Sequence, residues 1–124
     1  MLANRPAFSG FSTDDIPKAK EFYGETLGID VSEENGMLSL KFPGGQNVLI
    51  YPKDDHQPAT FTVLNIQVED IDHVVDEMTA KGVKFEHYGN DSGQDERGIA
   101  RAWGPPIAWF KDPAGNIVSV IQET

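Results

Sequence analysis

The sequence predicts an α+β fold made of two similar β-α-β-β-β modules in a single domain of 124 residues. Three observations support this prediction: a segment that occurs twice along the chain, one amphipathic helix in each copy, and a turn of the same chemistry late in each copy. We expect module 1 to cover about residues 7–58 and module 2 about residues 61–123. A unit of this size buries too little apolar surface alone, so the modules are expected to share a core, within the chain or across a dimer.

The repeat relates residues 8–29 to residues 63–83, and each copy contains one predicted helix. The pair Asp15-Ile16 in the first copy matches Asp70-Ile71 in the second. We expect the first helix to be capped by Asp14 or Asp15 and the second by Glu69 or Asp70, because a carboxylate accepts hydrogen bonds from the free N–H groups of a helix start. The buried faces are predicted from helical spacing: Ile16, Ala19, Tyr23 and Leu27 in the first helix, and Ile71, Val74, Val75 and Met78 in the second.

Strand patterns account for most of the remaining chain. The predicted strands are Met37–Phe42, Val48–Tyr51, Val83–Tyr88, Ile99–Trp103, Ala108–Phe110 and Ile117–Gln122. The turns Phe42–Asn47 and Phe110–Asn116 both contain Pro, which sets φ in the first half, and Gly, which accepts a positive φ in the second. The polar run Asn90–Arg97 predicts a loop.

Composition excludes several classes of function. The chain has 20 acidic and 10 basic residues and a formal net charge of −10, which disfavours a nucleic-acid partner. The absence of cysteine removes disulfides, thiolate catalysis and iron–sulfur ligation. No apolar run approaches the length of a membrane span, and Met1–Gly10 lacks the pattern of a signal peptide. We therefore expect a cytoplasmic protein that binds neither nucleic acid nor membrane.

Strand alternation assigns side chains to the two faces of each sheet. In Phe61–Val68, we expect the aliphatic set to pack under the helices and the mixed set to line a concave face, or alternatively to face solvent at a sheet edge. The mixed set is Val63, Asn65 and Gln67, and the corresponding residues of other strands are Phe8, His87, Arg101, Trp103 and Ser119. An aromatic wall for a planar or cationic ligand is predicted from Phe8, Tyr51, Tyr88, Trp103 and Trp109, with core packing as the alternative.

Arg101 suits an anionic group, or alternatively lies on the surface. His87 faces either the concave side or the strand end near solvent. We expect His56, in an acidic linker, and His73 to be solvated. Ser12 lacks the Gly-x-Ser-x-Gly context of a nucleophile elbow.

Several of these features together resemble the vicinal oxygen chelate superfamily, which includes glyoxalase I, bleomycin-resistance proteins, extradiol dioxygenases and fosfomycin-resistance enzymes. The resemblance covers about residues 7–122 and implies a cup-shaped half-barrel, formed by the two modules, with a small ligand inside. Unrelated chemistries share this fold, so the resemblance does not imply one reaction. The residues that carry it are Asp15, Ile16, Phe22, Tyr23, Leu27-Gly28 and the segment Trp109–Asn116, together with the paired modules.

Metal-using members of this superfamily carry His or Glu at four points of the concave face. The resemblance places these points at Phe8, Val63, Ser119, and either Leu49 or Ile50. None of them is His, Asp or Glu, and a neutral hydroxyl alone is a poor ligand for a divalent ion. We therefore expect neither a metal ion nor another cofactor.

Three functional hypotheses follow from these observations. The leading one is a metal-independent small-molecule-binding protein, of a sequestering or resistance type, in which no catalytic residue is assigned. The alternatives are a glyoxalase- or dioxygenase-like lyase or oxidoreductase acting on a small substrate, and a non-catalytic regulatory subunit. A homodimer is expected. The predicted ligand-binding residues are Phe8, Val63, Asn65, Gln67, His87, Arg101, Trp103 and Ser119.

Overall fold

The computed structural model describes residues 1–89 and 92–124, and the chain divides into two compact units, Met1–Gln57 (unit 1) and Pro58–Thr124 (unit 2). The strands are β1 (Ser9–Thr13), β2 (Asp30–Glu34), β3 (Met37–Lys41), β4 (Asn47–Pro52), β5 (Thr62–Val68), β6 (Ile107–Lys111) and β7 (Ile117–Gln122). The helices are α1 (Ile16–Glu21), a π-helical turn (Phe22–Thr26) and α2 (Ile71–Ala80). Across the described residues, no helix is both long enough and apolar enough to cross a membrane. Asn90 and Asp91, which begin the predicted loop Asn90–Arg97, lie outside the described residues.

Unit 1 is a four-stranded mixed sheet in the order β1-β4-β3-β2. β1 pairs with β4 in parallel, and β3 runs antiparallel to both of its neighbours. This β-α-β-β-β order confirms the architecture predicted for the first module. The strand β2 was not among the strands predicted from the sequence, because its residues, DVSEE, include three acids and a single apolar side chain.

Both helices begin at the repeated aspartates. The Asp15 carboxylate accepts a hydrogen bond from the Lys18 backbone N–H at 3.1 Å, and the Asp70 carboxylate accepts one from the His73 N–H at 3.2 Å. The caps are therefore Asp15 rather than Asp14 and Asp70 rather than Glu69. The matching caps confirm the internal repeat, since each satisfies an N–H group that has no partner within its helix.

Tyr23 anchors the end of the first helix in the core of unit 1. The chain widens from α-helix to a π-helical turn at Phe22, and the Tyr23 side chain is fully buried. Its ring lies 6.2 Å from the ring of Phe11 in β1, measured between centroids. The same core contains Leu38, Leu40 and Ile50, which are also fully buried.

Unit 2 is a three-stranded sheet in the order β5-β7-β6, with β5 parallel and β6 antiparallel to β7. In place of a strand like β2 of unit 1, two isolated bridges lie beside β6: one joins Phe85 and Phe110, and the other joins Ala100 and Ile107. The two rings also contact each other, with centroids 5.7 Å apart. The buried apolar residues of α2 and the sheet are Ile71, Val75, Met78, Ala108, Phe110, Val118 and Val120.

The predictions of continuous strands at Val83–Tyr88 and Ile99–Trp103 are wrong, because both segments contain only isolated bridges. The Gln94 side chain replaces a strand partner here: its amide accepts from the Tyr88 N–H and donates to the carbonyls of Glu86 and Gly98. Gly98 also has a φ of 91°, which turns the chain where a strand would continue straight. Hydrogen bonds from the Gln94 side chain therefore pair these backbone N–H and C=O groups without the ladder of a β-sheet.

A buried carboxylate holds the turn between β6 and β7. Asp112 is 5% exposed, and its Oδ1 accepts hydrogen bonds from the N–H groups of Ala114 at 3.0 Å and Asn116 at 2.9 Å. Its Oδ2 accepts a third hydrogen bond, at 3.0 Å, from the Asn116 side-chain amide, which is itself buried. Burial of a charge is unfavourable unless it is hydrogen-bonded, so these three bonds make the turn specific for Asp and Asn.

We expect Asp112→Ala to lower the free energy of unfolding by about 2–3 kcal/mol, because three N–H donors, two of them buried, lose their carboxylate acceptor. Urea denaturation followed by circular dichroism measures this change. Asp54→Ala is the matched control, since Asp54 is an exposed acid in a loop and its loss is expected to change stability by less than about 0.5 kcal/mol. Equal losses in the two variants would contradict a structural role for the Asp112 carboxylate.

Candidate functional site

The strand register of unit 2 places three functional side chains in one row. Asn65 of β5 pairs with Ser119 of β7, and Ser119 pairs with Trp109 of β6. Directly paired residues project to the same face of a sheet, so these side chains are neighbours. We call this surface the Ser119 face and define it by these three residues together with Gln67 and Ile121, which form the adjacent row.

A short hydrogen bond joins the polar members of the row. Ser119 is fully buried, and its hydroxyl donates to Oδ1 of Asn65 at 2.5 Å. Asn65 is exposed, so its amide connects the buried hydroxyl with the surface. Because the carbonyl oxygen accepts this hydrogen bond, the amide NH₂ group presents two donors for an external partner.

An aromatic pair lies beside this row. The rings of Tyr88 and Trp109 meet edge to face, with their centroids 5.5 Å apart. Burial raises the pKa of the Tyr88 hydroxyl, and the charge of Glu86 raises it further. Tyr88 is 52% exposed, so it presents a neutral hydroxyl and part of a ring at the surface. Two of the five residues predicted for an aromatic wall are therefore in contact.

In the segment Phe85–Tyr88, His87 lies on the face opposite to Tyr88. Phe85 pairs with Phe110, whose strand neighbour is the buried Val118, so alternation directs Phe85 and His87 away from the Ser119 face. Glu86 and Tyr88 project to the other side. Glu86 forms an ion pair of 3.5 Å with Lys111, and Tyr88 contacts Trp109.

Arg101 belongs to an ion-pair network with α2. Its guanidinium lies 2.6 Å from Oδ1 of Asp72 and 3.7 Å from Oδ2 of Asp95. Arg97 contacts the same Asp72 oxygen and pairs with Asp76 at 2.9 Å. The network links this segment to α2. Hydrogen bonding from Arg97, assisted by Arg101, lowers the pKa of the Asp72 carboxyl and outweighs the opposing effect of desolvation.

The remaining predicted residues lie at several places. Trp103 is 84% exposed in a bend next to Gly93, and Phe8 is 70% exposed just before β1. Val63 is half-buried in β5, and Gln67 is exposed on the same strand. The row formed by Asn65, Ser119 and Trp109 is thus the set that strand pairing brings together.

Of the four positions that the resemblance assigns to a metal centre, only Ser119 carries a side-chain oxygen. Of the two residues considered for the fourth position, Ile50 is fully buried in the core, and Leu49 lies half-buried on the other face, paired with Gly10. Ser119 supplies a neutral hydroxyl that is already bonded to Asn65. Within residues 1–89 and 92–124, no three His, Asp or Glu side chains form a group able to hold a metal ion. The residues present do not fit that metal centre.

Unit 1 contains a polar pair that the sequence analysis did not identify. Oγ of Ser12 and Nδ1 of His56 lie 2.6 Å apart, and both residues are half-buried. His56 was expected to be solvated in the linker, and the structure corrects this expectation. The Lys53 N–H bonds to the Thr13 carbonyl, and a turn from Lys53 then returns His56 to β1. Only the pairing of β1 with β4 brings the two residues together, so no local pattern in the sequence indicates it.

Comparison with known proteins gives a family match over most of the chain. The model of the Glyoxalase/Bleomycin resistance protein/Dioxygenase superfamily matches residues 9–120. A relative in Bacillus subtilis (strain 168), the uncharacterized protein YraH, is 26% identical, and the match covers 88% of this chain and 91% of YraH.

Solved structures share the fold at low identity. The antibiotic binding protein TnmS3 from Streptomyces sp. CB03234 is 22% identical with a TM-score of 0.69, and the match covers 98% of each chain. The fosfomycin resistance protein FosX from Listeria monocytogenes is 14% identical with a TM-score of 0.72, over 99% of this chain and 96% of FosX. Identities this low show a common fold and leave the ligand undetermined.

We expect the Asp72 carboxyl to titrate below the value of about 3.9 that is typical of an unperturbed Asp. Arg97→Gln should raise the midpoint, because the strongest hydrogen bond to the charged form is lost. Stability from this interaction is present above the unfolded-state pKa and is lost as the pH falls through the folded-state pKa. Carbon-detected NMR titration measures the midpoint. Lys20→Gln, which removes an exposed ion pair with Glu33 in unit 1, serves as the control, and an equal shift in both variants would contradict the assignment.

Proposed function

The chain belongs to the Glyoxalase/Bleomycin resistance protein/Dioxygenase superfamily, and from this premise we propose that it binds a small organic molecule without a metal ion. The observation that carries the proposal is the Ser119 face, where the Tyr88–Trp109 ring pair lies beside the hydrogen-bonded Asn65 and Ser119. Binding sites for small molecules commonly combine apolar and aromatic surface with a few polar groups that fix the orientation of the ligand.

Each group on this face has a role in the proposed complex. The Trp109 and Tyr88 rings contact a planar or apolar part of the ligand, and the Asn65 amide donates a hydrogen bond to a ligand oxygen or nitrogen. The bond from Ser119 holds the Asn65 amide in one orientation, which reduces the entropy lost on binding. Gln67, in the adjacent row, provides a further contact, and Val63, at the register shift in β5, stays a predicted contact. The net charge of −10 favours a ligand that carries positive charge.

The descriptions of two structural neighbours agree with a role in binding or resistance. TnmS3 is described as an antibiotic binding protein, and FosX as a fosfomycin resistance protein. We propose a sequestering or resistance-type role for this chain on the combined support of its family and the Ser119 face. Phe8 stays a predicted contact, whereas His87, Arg101 and Trp103 stay predictions that this proposal does not use.

Metal independence is part of the proposal. A divalent ion needs several converging carboxylate, imidazole or other strong donors, and the corresponding positions carry Phe8, Val63, Ser119, and either Leu49 or Ile50. An apolar lining leaves an ion without ligands to replace its water. Binding therefore ranks ahead of the lyase or oxidoreductase alternative, for which the His and Glu ligands of metal-using relatives would be expected.

We further propose that the protein acts in the cytoplasm as a homodimer. The lack of cysteine is compatible with a reducing compartment, and small chains of this type commonly form two-fold symmetric dimers.

Calorimetric titration with three probes tests the binding proposal: metal-free bleomycin, the planar cation proflavine, and neutral caffeine. We expect at least one cationic probe to bind. Asn65→Ala should weaken that binding about 10-fold, because one hydrogen bond and the preorganised amide are lost. Trp109→Ala should weaken it by about 10-fold or more, since the larger aromatic contact is removed.

Trp103→Ala is the matched control for the Trp109 variant, because Trp103 is exposed and lies in a different segment. We expect this variant to keep the wild-type affinity. A thermal-shift assay with the same probes should show stabilisation of the wild-type protein that Trp109→Ala reduces. Absence of binding by all three probes, or equal losses in the two Trp variants, would count against the Ser119 face as the site.

Metal content provides a separate test. We expect protein purified without a His-tag to contain far less than one Zn, Fe, Mn or Ni ion per chain by inductively coupled plasma mass spectrometry. Treatment with EDTA should leave the Tm and the probe affinity unchanged, because no ligand set for a metal is involved. One equivalent of any of these metals, removed by EDTA together with probe binding, would reverse the proposal.

A further inference from the structure

We propose that Ser12 is an acyl-accepting nucleophile and that His56 is its general base. This site lies in unit 1 and uses none of the residues assigned to the Ser119 face, so it goes beyond the binding function. The separation of 2.6 Å between Ser12 Oγ and His56 Nδ1 carries the inference. A serine hydroxyl is a weak nucleophile until a neighbouring base accepts its proton, and histidine is the most frequent such base in proteins.

The fold builds this pair from two distant parts of the chain. The parallel pairing of β1 and β4 sets Ser12 beside Tyr51. The Lys53 N–H donates to the Thr13 carbonyl at 3.0 Å, which extends the pairing beyond the end of β4. The turn closed by the His56 N–H and the Lys53 carbonyl, also at 3.0 Å, then directs the imidazole to Ser12. Both residues are half-buried, so the pair is partly accessible to solvent.

The surroundings of the pair indicate the class of substrate. Gly10, two residues before Ser12 on the same face of β1, carries no side chain, and its partner Leu49 is an apolar neighbour on β4. The ring of Tyr51 is 39% exposed on the same face. The acid next to His56 in the sequence, Asp55, forms an ion pair with Lys53 at 2.5 Å. We infer an uncharged carboxylic ester with a short acyl group as the substrate class.

The proposed reaction has two steps. Ser12 Oγ attacks the ester carbonyl carbon while His56 Nδ1 accepts the hydroxyl proton, and the bond between that carbon and the leaving oxygen breaks with its electron pair on the alkoxide or phenolate. His56 then gives up its proton, to an alkoxide leaving group or to solvent. A water molecule next attacks the acyl-serine, with His56 accepting a proton from the water, and the carboxylic acid departs as Ser12 regains its hydrogen. No oxidant or other reactant is needed.

Hydrolysis of 4-nitrophenyl acetate by the full-length protein tests this proposal. We expect protein-dependent release of 4-nitrophenolate and an acetyl group on Ser12, located by peptide mass spectrometry after rapid acid quenching. Ser12→Ala should lower the protein-dependent rate by about 10-fold or more, and His56→Ala by a similar factor. Added imidazole should restore part of the rate to His56→Ala and none to Ser12→Ala, because only the first variant retains the nucleophile.

Ser39→Ala and His73→Gln are the matched controls. Ser39 lies on the same face as Leu49, two strands from Ser12, and His73 is an exposed residue of α2 paired with Glu77. Both variants are expected to keep the wild-type rate. Labelling of lysines or Ser39 without labelling of Ser12, or an unchanged rate in Ser12→Ala, would overturn the proposal. The labelling result in wild-type protein decides the question even where a variant fails to fold. The outcome is independent of the three binding probes, which report on the Ser119 face.

Discussion

The alternation of side chains along paired strands is the constraint on which the arrangement of this protein depends. In unit 2, the register that buries Val118 and Val120 also places Asn65, Ser119 and Trp109 in one row. A slip of one residue would exchange these two sets between the faces, so that Asn65, Ser119 and Trp109 would lie on the side of the sheet that Val118 and Val120 now occupy. Burial of apolar side chains therefore selects the register, and the register in turn assembles the side chains with functional chemistry.

The same constraint explains why one fold supports different chemistries. The positions that metal-using relatives occupy with ligands are set by the backbone, and the side chains there are free to change while the register is kept. In this chain a serine at such a position is fully buried, and its hydroxyl bonds to Asn65. A buried hydroxyl that is paired costs little, whereas unpaired acids in an apolar lining would be unfavourable. The fold alone accordingly does not determine the chemistry at these positions.

The segment between α2 and β6 shows how local hydrogen bonds compete with strand formation. The Gln94 side chain satisfies three backbone groups that a neighbouring strand would otherwise pair. The chain is then free to bend at Gly98, and this bend directs Arg101 to Asp72 on α2. The placement of Arg101 in an ion-pair network is thus a consequence of one glutamine side chain and one glycine, neither of which strand periodicity takes into account.

Features that depend on residues close together in the chain were predicted from the sequence. The helix starts, predicted at Asp14 or Asp15 and at Glu69 or Asp70, and the Pro- and Gly-containing turn Phe110–Asn116 follow from interactions over three to six residues. Tertiary structure alone decided the acidic strand β2, the bend at Gly98 and the contacts between distant residues. Ser12 meets His56 across 44 positions, and Asn65 meets Ser119 across 54. Such pairs depend on strand register, which is set by packing over the whole unit, so a local pattern of residue types does not encode them.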